Sequence, residues 1–410
     1  MIGSRKGGHK FPAAAIANSI NTEYKTQTCA RVINFLDHFP LMSFFDRLGR
    51  WGDLKIKFAW RAGYAGLTDK NSFFVRLYRQ GIRMVIGQPS IEKKLREVIG
   101  DIDIIVSMQP EINAIAGIMK EWFPVPFHTL IMDYSAHAGW ADPDIDRYYV
   151  VNNQVRQQMI DYGVLPTRIV VTGAPAQPGY DIVAKIPIEK QRRLLGIDPG
   201  LPTVLVMAGY LGKMVDYVGI IHSLKKNIPD MQILVVTGKN KRMHHRLIKF
   251  AYPNIFPYYD IPSIHPVMRA ADLVISKPGG MVIADCLAHG KPMLLVDPRG
   301  GALQELIFAS MIEKAGAGRH LTSIQEIGKQ TRDLFKNRKG LETMAEKSFS
   351  CGRLNRSAAR TISKLIVDDI IKVQKSQTPK YLKKDTTSHL SSPPLYLSAL
   401  GGGGENLPRT

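Results

Sequence analysis

The chain has 410 residues, 45% hydrophobic and 8% aromatic, a globular composition that is long for one core and comfortable for two. No run approaches the roughly 20 apolar residues of a membrane span and no charged-then-apolar signal opens the chain, so any membrane contact is expected to be peripheral. Cys29, Cys286 and Cys351 are too far apart for a metal or redox motif, which points to packing roles in a reducing compartment.

The formal charge of +20 is unevenly placed. Met1 to Ile99 holds 17 Lys and Arg against 7 Asp and Glu, whereas Gly100 to Tyr180 holds 4 against 9. The basic first part suits phosphates of a nucleic acid, of an anionic lipid or of a phosphorylated substrate.

The first motif is "RKGGHKFPAAAIA", Arg5 to Ala17. Pro12 suits the first turn of a helix that the alanines continue, and Gly7, Gly8 and His9 fall just before its start. A helix N-terminus disfavours imidazolium, so His9 is expected to be neutral and able to act as a general base. Only Met1 to Ser4 precede this loop: either the first strand is very short or the sequence begins inside the gene.

Phe39 to Arg61 interleaves Phe44, Phe45, Trp51, Phe58 and Trp60 with five Lys and Arg residues, a composition for an anionic bilayer surface, for stacked single-stranded bases or for a half-buried core. Arg76, Arg79 and Arg83 recur at helical spacing as one basic face. The "DID" of Asp101 to Asp103 reads as an exposed turn before a strand rather than as a metal site.

Apolar, β-branched runs then alternate with helical patterns: 103–108, 168–173, 203–209, 232–238, 272–277 and 292–297. Strands apolar on both faces predict an α/β fold with parallel sheets covered on each side. Asp133 and His137, in "MDYSAHAGW", follow another apolar run at a predicted cleft edge, where they orient an acceptor, assist a base or serve as structural hydrogen-bonding groups. The Pro-rich, charged segment 175–202 marks the junction, giving domains at 1–175 and 176–373, and 374–410 is expected to be a disordered tail.

Two further glycine turns follow strands. "VMAGYLGKM" supplies Gly209, Gly212 and Lys213; "SKPGGMVIADCLAHGKP" supplies Lys277, Pro278, Gly279 and Gly280, with a helix predicted from about Met281. Unpaired amides at such a helix start face an anion, and a nucleotide diphosphate is the natural candidate. Neither a G-x-G-x-x-G turn after a strand nor a G-x-x-x-x-G-K-[ST] loop is present.

Together, "GGHKFPAAAIA", "SKPGGMVIADCLAHGKPMLLVDPRGGALQE" and Thr129 to Asp181 resemble the lipid-acceptor glycosyltransferases of family 28, which include monogalactosyldiacylglycerol synthase and the peptidoglycan UDP-N-acetylglucosamine transferase. The likeness covers most of residues 1–350. It implies a GT-B fold, two Rossmann-like domains facing a cleft, with a UDP-sugar on the second domain and a lipid acceptor on the first. By position it implies that Gly279, Gly280 and Met281 hold the diphosphate and that Asp285 takes the ribose hydroxyls. Gln304 and Glu305 would reach the sugar, and His9 would deprotonate the acceptor with inversion. Neither a metal nor a cofactor is implied. Val282 and Phe308 stand where the family usually has Thr and Asn, and Asp285 stands for Glu.

The leading expectation is therefore a transferase moving a hexose from UDP to a lipid hydroxyl, most plausibly of diacylglycerol, from the cytoplasmic side of an anionic membrane. A noncatalytic sugar-nucleotide-binding relative, or one subunit of a two-chain transferase, is the alternative. Nucleic acid rests on charge alone and is not the expected partner.

Overall fold

The structure is a computed structural model that describes residues 2–3, 10–34, 73–86, 88–209, 216–250, 252–296 and 303–377. The expectations for His9, Gly7, Gly8, Gly212, Lys213, the aromatic and basic stretch 39–61 and most of the expected tail 374–410 lie outside those residues; 374–377, expected as disordered tail, are helical. The described residues up to 370 form one unit, and 371–377 continue its last helix.

Two parallel sheets make the framework. The first runs β2-β1-β3-β4-β5-β6, formed by β1 (Ile2–Gly3), β2 (Ile33–Asn34), β3 (Ile105–Ser107), β4 (Phe127–Ile131), β5 (Arg147–Val150) and β6 (Ile169–Val171). The second runs β12-β11-β10-β7-β8-β9, formed by β7 (Thr203–Met207), β8 (Gln232–Val236), β9 (Ile255–Tyr258), β10 (Leu273–Ser276), β11 (Met293–Val296) and β12 (Gly318–Leu321). The chain passes from one sheet to the other between Val171 and Thr203. Every residue of β7, β8, β10 and β11 is buried, because helices cover both faces of the sheet. At about 2 kcal/mol for each fully buried Val, Leu or Ile, these strands carry much of the driving force for the second half.

Six strands, β1, β2, β4, β5, β9 and β12, lie outside the predicted runs, and in the last four a polar residue or a proline interrupts the apolar pattern. In β4, His128 and Thr129 are buried, each with a partner: His128 Nδ1 is 2.9 Å from Tyr149 Oη, and Thr129 Oγ1 donates to Asn113 Oδ1 at 2.6 Å. In β9, Pro257 is tolerated because this strand is a sheet edge. The strand β5 opens on Arg147, and β12 reads Gly-Arg-His-Leu.

Helix Phe73–Ile86 carries Arg76, Arg79 and Arg83, and two of them are engaged with the first domain. Arg79 Nη2 donates to the Ala138 carbonyl at 3.2 Å, and Arg83 Nε donates to that of Ala114 at 2.8 Å, so both anchor the helix to the first domain. Among the apolar residues of this helix, Phe73, Leu77 and Met84 face outward, 70%, 52% and 66% exposed, and Arg76 is exposed beside them. The last helix, Ala358–Gln377, returns to the first sheet: Ser363 Oγ donates to Ile16 O at 3.2 Å, and Asp369 pairs with Arg147 at 3.0 Å.

Candidate active site

A cavity of about 340 Å³ opens between the two sheets. Phe11, Met132 and Asp133 face it from the first half, and the carboxyl ends of β7, β8, β9 and β10 supply Met207, Gly209, Val236, Gly238, Asp260 and Lys277 from the second. Open α/β sheets place ligands at that end of their strands, where connecting loops leave a crevice.

The floor is the start of helix Gly280–His289. Gly279 turns tightly, its N–H donating to Lys277 O at 2.8 Å, and the helix's first backbone bond is Ile283 N–H to Gly279 O at 3.0 Å. The N–H groups of Gly280, Met281 and Val282 are therefore left for a ligand, at the positive end of the helix dipole. All three residues line the cavity, and Pro278 is buried behind them. Glycine at 280 keeps the gap narrow, since a Cβ there would lie 3.4 Å from Met132 O. Gly209 is required by its φ of +70°, and Lys277 Cε packs against it, 3.6 Å from where a Cβ would stand.

Charge is balanced locally. Lys277 Nζ lies 2.5 Å from Glu305 Oε1, in the first turn of helix Leu303–Lys314, where the dipole favours a carboxylate. Glu305 Oε2 is buried without a partner among the described residues. Gln304 also lines the cavity. Two wall positions are apolar: Val282 is buried, and Phe308 is buried with its ring centroid 5.7 Å from that of Tyr134.

Of the residues expected from the sequence, Asp133, Gly209, Lys277, Gly279, Gly280, Met281, Gln304 and Glu305 meet at this cavity. Two do not. Asp285 is 1% exposed, and both its oxygens are taken by Gln177: the backbone N–H at 3.0 Å and the side-chain Nε2 at 2.8 Å. Burial raises its pKa against the opposing influence of His265 and these hydrogen bonds. His137 is away from the cavity wall: its Nδ1 accepts from Gly139 N–H at 3.1 Å to cap the short turn 138–140, and burial lowers its pKa to about 4. This is the structural hydrogen-bonding role that the sequence offered beside an acceptor-orienting one.

Gln177 and the wall formed by Asp260, Ile261 and Ile264 were not singled out by the sequence. Asp260 has a φ of +41°, a left-handed conformation rare for a non-glycine residue. The available signal was position: "DIPSI" follows the carboxyl end of β9, where ligand loops belong. Among the described residues, no group of three or more His, Cys, Asp or Glu is arranged to hold a metal.

The comparisons agree with this geometry. Residues 9–176 match the monogalactosyldiacylglycerol (MGDG) synthase family, and residues 203–366 match the glycosyltransferase family 28 C-terminal domain. A processive diacylglycerol beta-glucosyltransferase of Staphylococcus carnosus is 28% identical over 289 residues, covering 69% of each chain. A protein of the same description from Bacillus subtilis is 25% identical over 325 residues, 76% of this chain and 82% of its own. In structure, the calicheamicin glycosyltransferase CalG4 aligns with a TM-score of 0.57 at 14% identity, over 91% of this chain and 98% of its own. The UDP-GlcNAc 2-epimerase of Neisseria meningitidis aligns at 0.54 and 12% identity, over 87% and 96%. A transferase and an epimerase on one framework show the fold alone, the GT-B arrangement of two parallel-sheet α/β domains. With both halves matched in their family order and the glycine-started helix at the crevice, the chain belongs to the family 28 glycosyltransferases, its N-terminal half of the MGDG synthase type.

Proposed function

We propose that the chain is an inverting transferase moving a hexose from a UDP-sugar to a membrane-lipid hydroxyl, with diacylglycerol as the acceptor named by its relatives. The observation that carries this reading is the set of unspent amides of Gly280, Met281 and Val282, beside Lys277, facing Asp133 across one cavity.

In the reaction, the acceptor oxygen attacks the anomeric carbon while the bond from that carbon to the diphosphate oxygen breaks. Negative charge grows on the leaving UDP, where the helix N-terminus and Lys277 stabilise it. The acceptor proton passes to a base, for which His9 is proposed. Phe11, two residues later, lines the cavity. Asp133 supports the acceptor side, and Gln304 and Glu305 contact the sugar.

The acceptor reaches the protein from a bilayer. Leu77 and Met84, outward on helix Phe73–Ile86 with Arg76 on the adjoining exposed surface, are the proposed contact with an anionic cytoplasmic leaflet. Among the described residues, no helix is long and apolar enough to cross the membrane.

The test is UDP release and glycolipid formation in vesicles containing diacylglycerol. His9→Ala is expected to keep UDP binding and abolish turnover; unchanged turnover removes His9 from the mechanism. UDP binding without turnover across a panel of lipids instead identifies a noncatalytic sugar-nucleotide-binding relative, the reading favoured by the apolar Val282 and Phe308 in the cavity wall.

A further inference from the structure

Asp285 and Gln177 are 108 residues apart in sequence and interlocked in space. An ionised carboxylate only accepts, so the Gln177 amide must turn its NH₂ to Asp285 Oδ2, with the backbone N–H of Gln177 on Oδ1. The Gln177 carbonyl is fixed as well, accepting from His265 Nε2–H at 2.8 Å. His265 Nδ1 in turn lies 3.0 Å from His289 Nε2, tying this contact to a second buried ring. The backbone N–H, the backbone carbonyl and one N–H of the side-chain NH₂ of Gln177 are thereby occupied. Its Oε1 has no partner among the described residues, and Gln177 lines the cavity whereas Asp285 does not.

We infer that Gln177 Oε1 is a donor-recognition group, accepting a hydrogen bond from a hydroxyl of the sugar nucleotide, and that Asp285 is its positioning residue. This rests on the donor-binding reading above and transfers a recognition role to a residue in the segment between the sheets. A carboxylate one methylene shorter than glutamate stays behind the cavity wall and presents a neutral amide oxygen in its place. The hydroxyl belongs to the ribose or to the hexose; both offer the same O–H donor.

Calorimetry with UDP, 2′-deoxy-UDP, 3′-deoxy-UDP and UDP-glucose tests the inference on the full chain, in the wild type and in Gln177→Leu and Asp285→Asn. For a ribose contact, wild type prefers UDP to one deoxy analogue by about threefold to tenfold, the worth of one hydrogen bond. For a hexose contact, the preference appears as tighter binding of UDP-glucose than of UDP. Gln177→Leu is expected to erase whichever preference exists. In Asp285→Asn, an amide donor can hold Gln177 Oε1 and turn its NH₂ to the cavity, so the preference falls there too. A merely structural role for Asp285 would weaken all four ligands in proportion and leave their ratios unchanged. Should Gln177→Leu fold poorly, the ratios in Asp285→Asn decide. Preferences retained in the variants, or absent from a wild type that binds UDP, overturn the inference. A wild type that binds none of the four ligands overturns the donor-binding reading itself.

Discussion

The Lys277 ammonium and the Glu305 carboxylate meet at 2.5 Å beside the glycine turn, with side chains only 18% and 12% exposed. Because Glu305 Oε2 already lacks a partner among the described residues, removing Lys277 leaves a largely buried charge uncompensated. Lys277→Met is expected to cost about 2 kcal/mol in denaturant unfolding and to weaken UDP binding about tenfold or more. Lys277→Met/Glu305→Gln should recover most of the stability but not the affinity. Equal recovery of both would mean that the lysine acts only within the pair.

Two glycines beside the same helix are predicted to separate folding from binding. At Gly352 a Cβ would stand 1.9 Å from Leu287 O, an overlap that only backbone movement relieves. Gly352→Ala should therefore destabilise by about 3 kcal/mol. At Gly280 the added methyl meets Met132 O at 3.4 Å and Phe308 at 3.7 Å, so Gly280→Ala should fold nearly normally yet bind UDP more weakly. Thermal melts and calorimetry on the pair check this; normal UDP affinity in Gly280→Ala would remove the close approach from the site.

Acid should weaken the fold through neutral buried histidines. Burial, helped by Arg147, lowers His128 to about 3, and burial lowers His137 to about 4, against an ordinary 6.5; His289 is lowered by burial and His265. Between those values and 6.5 the unfolded chain binds protons that the folded chain does not. Stability therefore rises with pH over that window and is lost on acidification, by up to about 1.4 kcal/mol per pH unit for each histidine. Asp142 and Asp285, raised by burial, act oppositely from 3.8 upward, with two groups against three. Urea midpoints measured from about pH 7 to pH 5 should fall, and fall less in His128→Asn. A flat profile in the wild type would contradict the burial of these rings.

Leu77→Asp and Met84→Asp are expected to reduce sedimentation with anionic vesicles about tenfold, each placing a carboxylate where an apolar side chain would enter the interface. Neither side chain is buried, so unfolding midpoints should hardly move. Unaltered vesicle binding would detach this helix from the proposed membrane contact.

The sequence by itself determined the elements whose physics is local. Val204–Met207, Ile233–Val236 and Leu273–Ile275 are strands because uninterrupted apolar runs are stable only when covered on both faces. The helix at Gly280 was legible because glycines permit the turn and open its amides. Of strand β4 only the apolar end was legible, since the buried partners of His128 and Thr129 come from distant segments.

Only the tertiary structure decided which side chains share the cavity. It turned Asp285 inward and brought Gln177, from a segment that reads as a linker, to the wall. It closed His137 over its own turn and set Met132 against Gly280. Periodicity and turn chemistry report what a backbone does within a few residues. A hydrogen bond spanning 108 residues depends on how two sheets and their connecting segment settle together, and no local pattern records that.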